Sequence, residues 1–128
     1  MIPPDPGKSG LFVGVDLTEV HRISQSVERH GDRFLGRVFT DGERAYCSGQ
    51  PSKLAARFAA KEAVAKLLGT GIGPVGWRDI EVVSSPSGCP EVLLHGAAAD
   101  RARDLGIDRI ALSISHTRDL AIAVAVAS

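Results

Sequence analysis

Asp16, which follows an apolar run, and Glu62 with Lys66, one helical turn apart, are residue types that could work together chemically. Two carboxylates plus water suit Mg²⁺, a hard cation that takes one or two protein oxygens and completes its octahedron with substrate phosphates. Lys66 then adds a point charge for phosphate oxygens. Arg57 and Lys61 lie on the same stretch of chain, and far downstream Ser115-His116-Thr117 closes another apolar run. Together these groups read as phosphoryl-type transfer. Singly they are ordinary: an Asp after a strand is most often a turn residue, a Glu–Lys pair four apart a surface pair, and a His ending an apolar face a hydrogen-bonded core residue.

The chain offers no nucleophile of its own. There is no G-x-S-x-G motif, and Ser115 and His116, adjacent on a strand, face opposite ways. The turn GTGIG (Gly69–Gly73) lacks the Lys-Ser/Thr and helix of a P-loop, yet its backbone N–H groups can approach a phosphate closely.

These residues need elements to hold them. Leu11 to Val15 reads as a buried strand with Asp16 at its C-terminal edge, and Thr18 as the N-cap of a helix running to His30 and ended by Gly31. Val20, Ile23 and Val27 share one side of that helix, and Arg22 and Arg29 point away from it. Thr40 and Glu43 have capping-box spacing for a short second helix. Ser52 to Leu68 holds six alanines, has no interior Gly or Pro, and stops at Gly69, so it is the long helix. Lys61 projects from the apolar stripe of Leu54, Phe58, Ala65 and Leu68, out of place for a simple core helix. Asp79 to Ser84 and Glu91 to His95 form a hairpin around SPSGCP, Ala97 to Leu105 a short helix, and Arg109–Ser115 and Leu120–Ala127 two terminal strands. In those strands Ile110, Leu112, Ile114 and His116 are matched with Leu120, Ile122, Val124 and Val126 on one face, leaving Ala and Ser on the other. Both faces are then expected to be buried, the small-residue side against a helix or another subunit. The expected fold is α+β: an antiparallel sheet packed with one long and several short helices.

Composition limits the partners. With 128 residues, 44% of them hydrophobic, the chain is long enough for one core without disulfides or metal, and Cys47 and Cys89 belong to no CxxC or Cys/His cluster. Lys and Arg total 15 against 15 Asp and Glu, and only 5% of residues are aromatic, which argues against nucleic acid and membrane surfaces as partners and disfavours a two-carboxylate nuclease. The charge is locally uneven, because Val20 to Thr40 carries +2. Residues 1–10, rich in proline and without an apolar h-region, read as a flexible leader, and 11–128 as a single domain. A cytoplasmic protein is expected, since no apolar stretch approaches the ~20 residues of a membrane helix.

Four motifs carry a family resemblance: VGVDLTEVHRI (Val13–Ile23), RFAAKEAVAKLLGTGIG (Arg57–Gly73), WRDIEV (Trp77–Val82) and SISHT (Ser113–Thr117). In this order they resemble the holo-[acyl-carrier-protein] synthases, the small bacterial class of 4′-phosphopantetheinyl transferases. The resemblance extends from about Phe12 to the C-terminus. It implies Mg²⁺-dependent transfer of phosphopantetheine from coenzyme A to a serine of an apo acyl carrier protein, with adenosine 3′,5′-bisphosphate released. It further implies Asp16 and Glu62 as metal ligands and Lys66 as a phosphate contact. Arg57, Gly69, Gly71, His116 and Thr117 would bind the nucleotide end, and Arg22 would meet the acidic helix of the carrier. Glu62, or a water it orients at the metal, would be the general base. The family's homotrimers place active sites between subunits. Where the hairpin of the family resembles Gly-Lys-Pro, this chain has Gly88-Cys89-Pro90, which leaves a neighbour such as Lys53 to supply the charge. A non-catalytic homologue that only binds coenzyme A or a carrier is the alternative reading.

Overall fold

The computed structural model describes residues 10–128, so the proline-rich leader lies outside the described residues except for Gly10. At its centre is one helix, α4 (Pro51–Leu67), which starts with Pro51 in the first turn, where a missing N–H costs nothing. Buried residues occur all round it, among them Leu54, Ala55, Ala59, Ala60, Ala63, Val64 and Leu67. Its alanines let neighbours come close. Arg101 Nε donates to Leu68 O at 2.9 Å just beyond its C-terminus, where a cation suits the helix dipole.

Across α4 lies an antiparallel sheet in the order β1-β5-β4, with β1 Phe12–Glu19, β4 Ile110–His116 and β5 Leu120–Ala127. The inner face meets the helix with small residues: Gly14 from β1 and Ala121, Ala123, Ala125 and Ala127 from β5, all buried. A Cβ added to Gly14 would stand 1.9 Å from Ala63 O, so β1 and α4 approach backbone to backbone. The remaining elements are α1 (Val20–His30), α2 (Asp32–Val38), α3 (Asp41–Cys47), a 3₁₀ turn at Trp77–Asp79, the hairpin β2 (Ile80–Ser84) and β3 (Pro90–Leu94), and α5 (Gly96–Asp104). The Thr40–Glu43 capping box forms as its spacing implies, Thr40 Oγ1 accepting from Glu43 N and Glu43 Oε1 from Thr40 N.

Several expectations change. Asp16 is not at a strand end: β1 continues to Glu19 because its pairing with β5 runs from Phe12↔Ala127 to Glu19↔Leu120. Thr18 is therefore a buried strand residue and caps nothing; α1 begins at Val20, whose N–H donates to Asp119 O at 2.9 Å. Helix α2 was not foreseen, its seven residues being too short for a clear period. The terminal hairpin also differs in its faces. Ile110, Leu112, Ile114 and His116 pair with Ala127, Ala125, Ala123 and Ala121, so large residues of β4 share the inner face with the alanines of β5. His116 pairs with Ala121 and Thr117 N donates to Leu120 O at 2.8 Å, so an even number of residues separates partners, one residue off the expected register, and a shift of one exchanges the faces. The alanines face α4 of the same chain. The outer face, with Val13, Val15, Leu17, Leu120, Ile122 and Val126 exposed, is not covered.

Candidate active site

Asp16 and Thr18 point from β1 towards α4, on the inner side set by strand alternation. Phe58, Glu62 and Lys66 follow one another at four-residue intervals on α4 and so share one stripe. The two sets meet in a cleft of about 280 Å³ that Arg22, Ile23 and Ser26 of α1 and Phe34 of α2 complete. Three of the sequence-derived site residues, Asp16, Glu62 and Lys66, thus come together, with Arg22 beside them.

The cleft is electrostatically organised. Lys66 Nζ donates to Asp16 Oδ1 at 3.1 Å and to Val15 O at 3.0 Å, and Thr18 Oγ1 donates to Asp16 Oδ2 at 2.7 Å. Both oxygens of Asp16 are thereby oriented. Burial, and then the negative charge of Asp16, hold the Glu62 carboxyl above the usual carboxylate range, and Lys66 opposes them. A buried carboxyl whose proton affinity is raised beside a second carboxylate is an arrangement that a divalent cation relieves. No group of three or more His, Cys, Asp or Glu converges among the described residues, so a metal here would have two protein carboxylates and draw its other oxygens from water or phosphate. That donor set fits Mg²⁺.

A second cleft is cationic. Tyr46 of α3, Lys53 and Arg57 of α4, Ser84 of β2, Gly88 and Pro90 of the hairpin, and His116 of β4 line it. The Arg57 guanidinium lies 4.2 Å over the Tyr46 ring centroid and Lys53 Nζ 5.0 Å over it, and Arg57 Nη2 donates to Ser84 Oγ at 3.2 Å. Arg57 Nε is buried and has no hydrogen-bond partner. An anion would satisfy it. Lys53 stands close to the hairpin residues that flank Cys89, the position where the motif departs from Gly-Lys-Pro.

His116 also borders a third hollow, with Thr117, Arg118, Val20, Pro51 and Ser52. The Thr117 hydroxyl accepts from Asp119 N and Leu120 N and so shapes the β4–β5 turn. Gly69 and Gly71 close α4 in the left-handed region, with φ of 78° and 64°, and their N–H groups donate to Lys66 O and Ala65 O. They line none of these three hollows, and what the turn offers a ligand is close approach rather than those two donors. Phe34, Phe58, Tyr46 and Ser84 were not among the expected site residues. The helical interval from Phe58 to Glu62 was a legible signal; the other three reach their clefts only through tertiary contacts.

Known proteins resemble this chain in sequence and in fold. A profile of the 4′-phosphopantetheinyl transferase superfamily matches residues 12–125. The holo-[acyl-carrier-protein] synthase of Koribacter versatilis is 50% identical over 117 residues, 88% of this chain and 94% of the relative. That of Chlamydia trachomatis serovar D is 50% identical over 119 residues, 90% of this chain and 97% of the relative. Among solved structures, Helicobacter pylori holo-[acyl-carrier-protein] synthase in complex with coenzyme A superposes with a TM-score of 0.83 at 34% identity, covering 91% of this chain and 99% of that one. The Neisseria meningitidis synthase gives 0.83 at 37% identity over 91% and 97%. Motifs, fold and these likenesses agree, and the chain belongs to the 4′-phosphopantetheinyl transferase superfamily, as an enzyme of its holo-[acyl-carrier-protein] synthase class.

Proposed function

We propose that this single-domain enzyme moves 4′-phosphopantetheine from coenzyme A to a serine of an apo acyl carrier protein and releases adenosine 3′,5′-bisphosphate, with Mg²⁺ required. The observation that carries the reading is the convergence of Asp16, Glu62 and Lys66 in one cleft with Arg22 at its side. Asp16 and Glu62 would hold Mg²⁺, which when bound neutralises pyrophosphate charge. The carrier's serine oxygen forms a bond to the phosphorus bearing pantetheine, the pyrophosphate P–O bond breaks, and the nucleotide departs with the bridging oxygen. The hydroxyl proton passes to Glu62 or to a water that Glu62 orients. Lys66 stabilises charge growing on the leaving phosphate, a type of contact whose loss costs about a hundredfold or more in rate.

Arg57, with its unpartnered Nε, Lys53 and His116 would take the nucleotide phosphates, and Thr117 and the Gly69–Gly71 turn would border that end. Arg22 is exposed and belongs to a segment of +2 charge, which suits the acidic helix of a carrier. The carboxylate and cationic clefts are separate hollows in one chain, and the outer sheet face is apolar and exposed, with Val13 paired to Val126 and Leu17 to Ile122. Both features support a homotrimer in which clefts of neighbouring copies complete each other, the number three coming from the family resemblance. The reading includes a cytoplasmic role in fatty acid synthesis; no helix among the described residues is long and apolar enough to cross a membrane.

The experiment is intact mass of an apo carrier protein after incubation with coenzyme A and Mg²⁺. One added phosphopantetheine is expected with the wild type, none with Asp16→Ala or Glu62→Ala, and none without the metal. Full transfer by either variant at saturating Mg²⁺ removes the metal-site assignment. Coenzyme A binding without any mass gain favours the non-catalytic homologue.

A further inference from the structure

A charged pair lies deeper than either cleft. Lys61 is fully buried, and its ammonium contacts Glu43 Oε1 at 2.6 Å and donates to Trp77 O at 2.9 Å and Ile80 O at 2.5 Å, three acceptors for three N–H groups. Glu43, also buried, accepts from Thr40 N at 2.9 Å and, through its other oxygen, from Val82 N at 2.8 Å. The pair joins α3 to α4 and grips the segment entering β2 at Trp77, Ile80 and Val82. Buried ion pairs are costly, and apolar residues of equal volume hold a core as well or better. What apolar packing lacks is direction, so it does not fix a strand's position along a helix.

The gripped segment ends at both clefts. At one end the Trp77 ring stacks on Phe58 with centroids 4.7 Å apart, and Phe58 walls the carboxylate cleft one turn from Glu62. At the other end Ser84 accepts from Arg57 in the cationic cleft. Phe58, Glu62, Arg57 and Lys61 all belong to α4, so the strand and the helix enclose each cleft from two sides.

We infer that Glu43 and Lys61 are positioning residues for the transfer reaction: by gripping Trp77 to Val82 they set, through one strand, both the aromatic wall of the carboxylate cleft and the Arg57 guanidinium of the cationic cleft. The inference rests on the site assignment proposed above. Neither residue lines either cleft, and they act through Phe58, Trp77 and Ser84.

Trp77 is the chain's only tryptophan, so its emission reports on the Phe58 stack directly. Two variants test the inference: Glu43→Gln, which keeps the shape and removes the charge, and the double change Glu43→Gln with Lys61→Met, which leaves no charge of the pair buried. Folded protein of either kind is expected to show red-shifted Trp77 emission and about tenfold weaker binding of adenosine 3′,5′-bisphosphate without Mg²⁺. Its kcat/KM for coenzyme A should be about ten- to a hundredfold lower, with KM for the carrier unchanged. A folded variant with wild-type emission, nucleotide affinity and kcat overturns the inference, because a merely structural pair lowers only the melting temperature. Amide hydrogen exchange of the wild type gives a measurement independent of variant folding. Adenosine 3′,5′-bisphosphate should slow exchange at Ile80 and Val82; protection confined to residues lining the cationic cleft counts against the pair. Arg57→Met separates the two levels. Retained nucleotide affinity there overturns the cleft assignment beneath the inference. Lost affinity there, beside wild-type affinity in the Glu43/Lys61 variants, overturns the inference alone.

Discussion

Cys47 and Cys89 are both free thiols in sharply different surroundings. Burial pushes the Cys47 thiol up to about 11, with nearby Arg57 pulling it down and Glu43 pushing it further up, whereas Cys89 is exposed in the hairpin turn. An aromatic disulfide reagent at neutral pH should therefore titrate one thiol rapidly in the native protein and two after denaturation; two rapid thiols in the native state contradict the buried site. Glu81 makes a pH-dependent contribution. Its carboxylate accepts from Thr40 Oγ1 at 2.7 Å and meets His95 Nε2 at 3.0 Å, and these two bonds, the first the larger cause, hold its pKa below the ordinary 4.5. A depressed carboxylate contributes stability that is present above the unfolded value and lost as pH falls through the folded one. The urea midpoint should fall further between about pH 6 and about pH 3 for the wild type than for Glu81→Gln. Equal losses would show that these bonds carry no stability.

At the scale of elements, the packing of β1 on α4 decides where Asp16 stands. The spacing between the two backbones is set by Gly14, where an added methyl would lie 1.9 Å from Ala63 O and 2.7 Å from Leu67 N. Backbone atoms cannot yield as a side chain end does. Gly14→Ala should cost more than the about 1–3 kcal/mol of ordinary overpacking, measured by urea denaturation, and should lower transfer as well, since Asp16 lies two residues along the displaced strand. A loss below about 1 kcal/mol would mean that β1 moves off α4 freely. The elements were legible to different degrees. The alanine-rich α4 and the Thr40–Glu43 cap announced themselves locally, because helix propensity and capping act within a few residues. The length of β1 did not: Thr18 looks like a helix cap in sequence, and only pairing with β5, a hundred residues away in the chain, keeps Asp16 to Glu19 extended.

On the scale of the whole molecule, the two sheet faces make separate predictions. The inner alanines pack against α4 of the same chain, so Ala123→Leu should overpack one subunit and lower its melting temperature by an amount equivalent to about 1–3 kcal/mol, without separating copies. The outer face is where copies would meet. Ile122→Glu or Val15→Glu, at exposed positions, should leave the fold intact, yield a monomer by light scattering, and abolish transfer along with the assembly. A wild type that is monomeric and fully active at micromolar concentration would sink the shared-site reading.

By itself the sequence determined the kind of protein this is. Residue types and their spacing (Asp16, the Arg57–Lys66 helix face, the glycine turn and Ser113–Thr117) pointed to the α+β class and most of the candidate chemistry, because helical and strand periods place such groups on faces without reference to distant contacts, and the resemblance of four motifs supplied the family. The tertiary structure alone decided which of those groups share a cleft. It brought Asp16 to Glu62 and Lys66, assigned Arg57 and His116 to a second cleft with Tyr46, and exchanged the faces of the terminal hairpin. It also explained Lys61, anomalous on an apolar stripe until Glu43 and two backbone carbonyls, separated from it by 16 to 19 residues, proved to be its partners. The physical reason is common to all of these cases: a hydrogen bond or a backbone approach between residues far apart in the chain is fixed by packing, and local propensity carries no record of it.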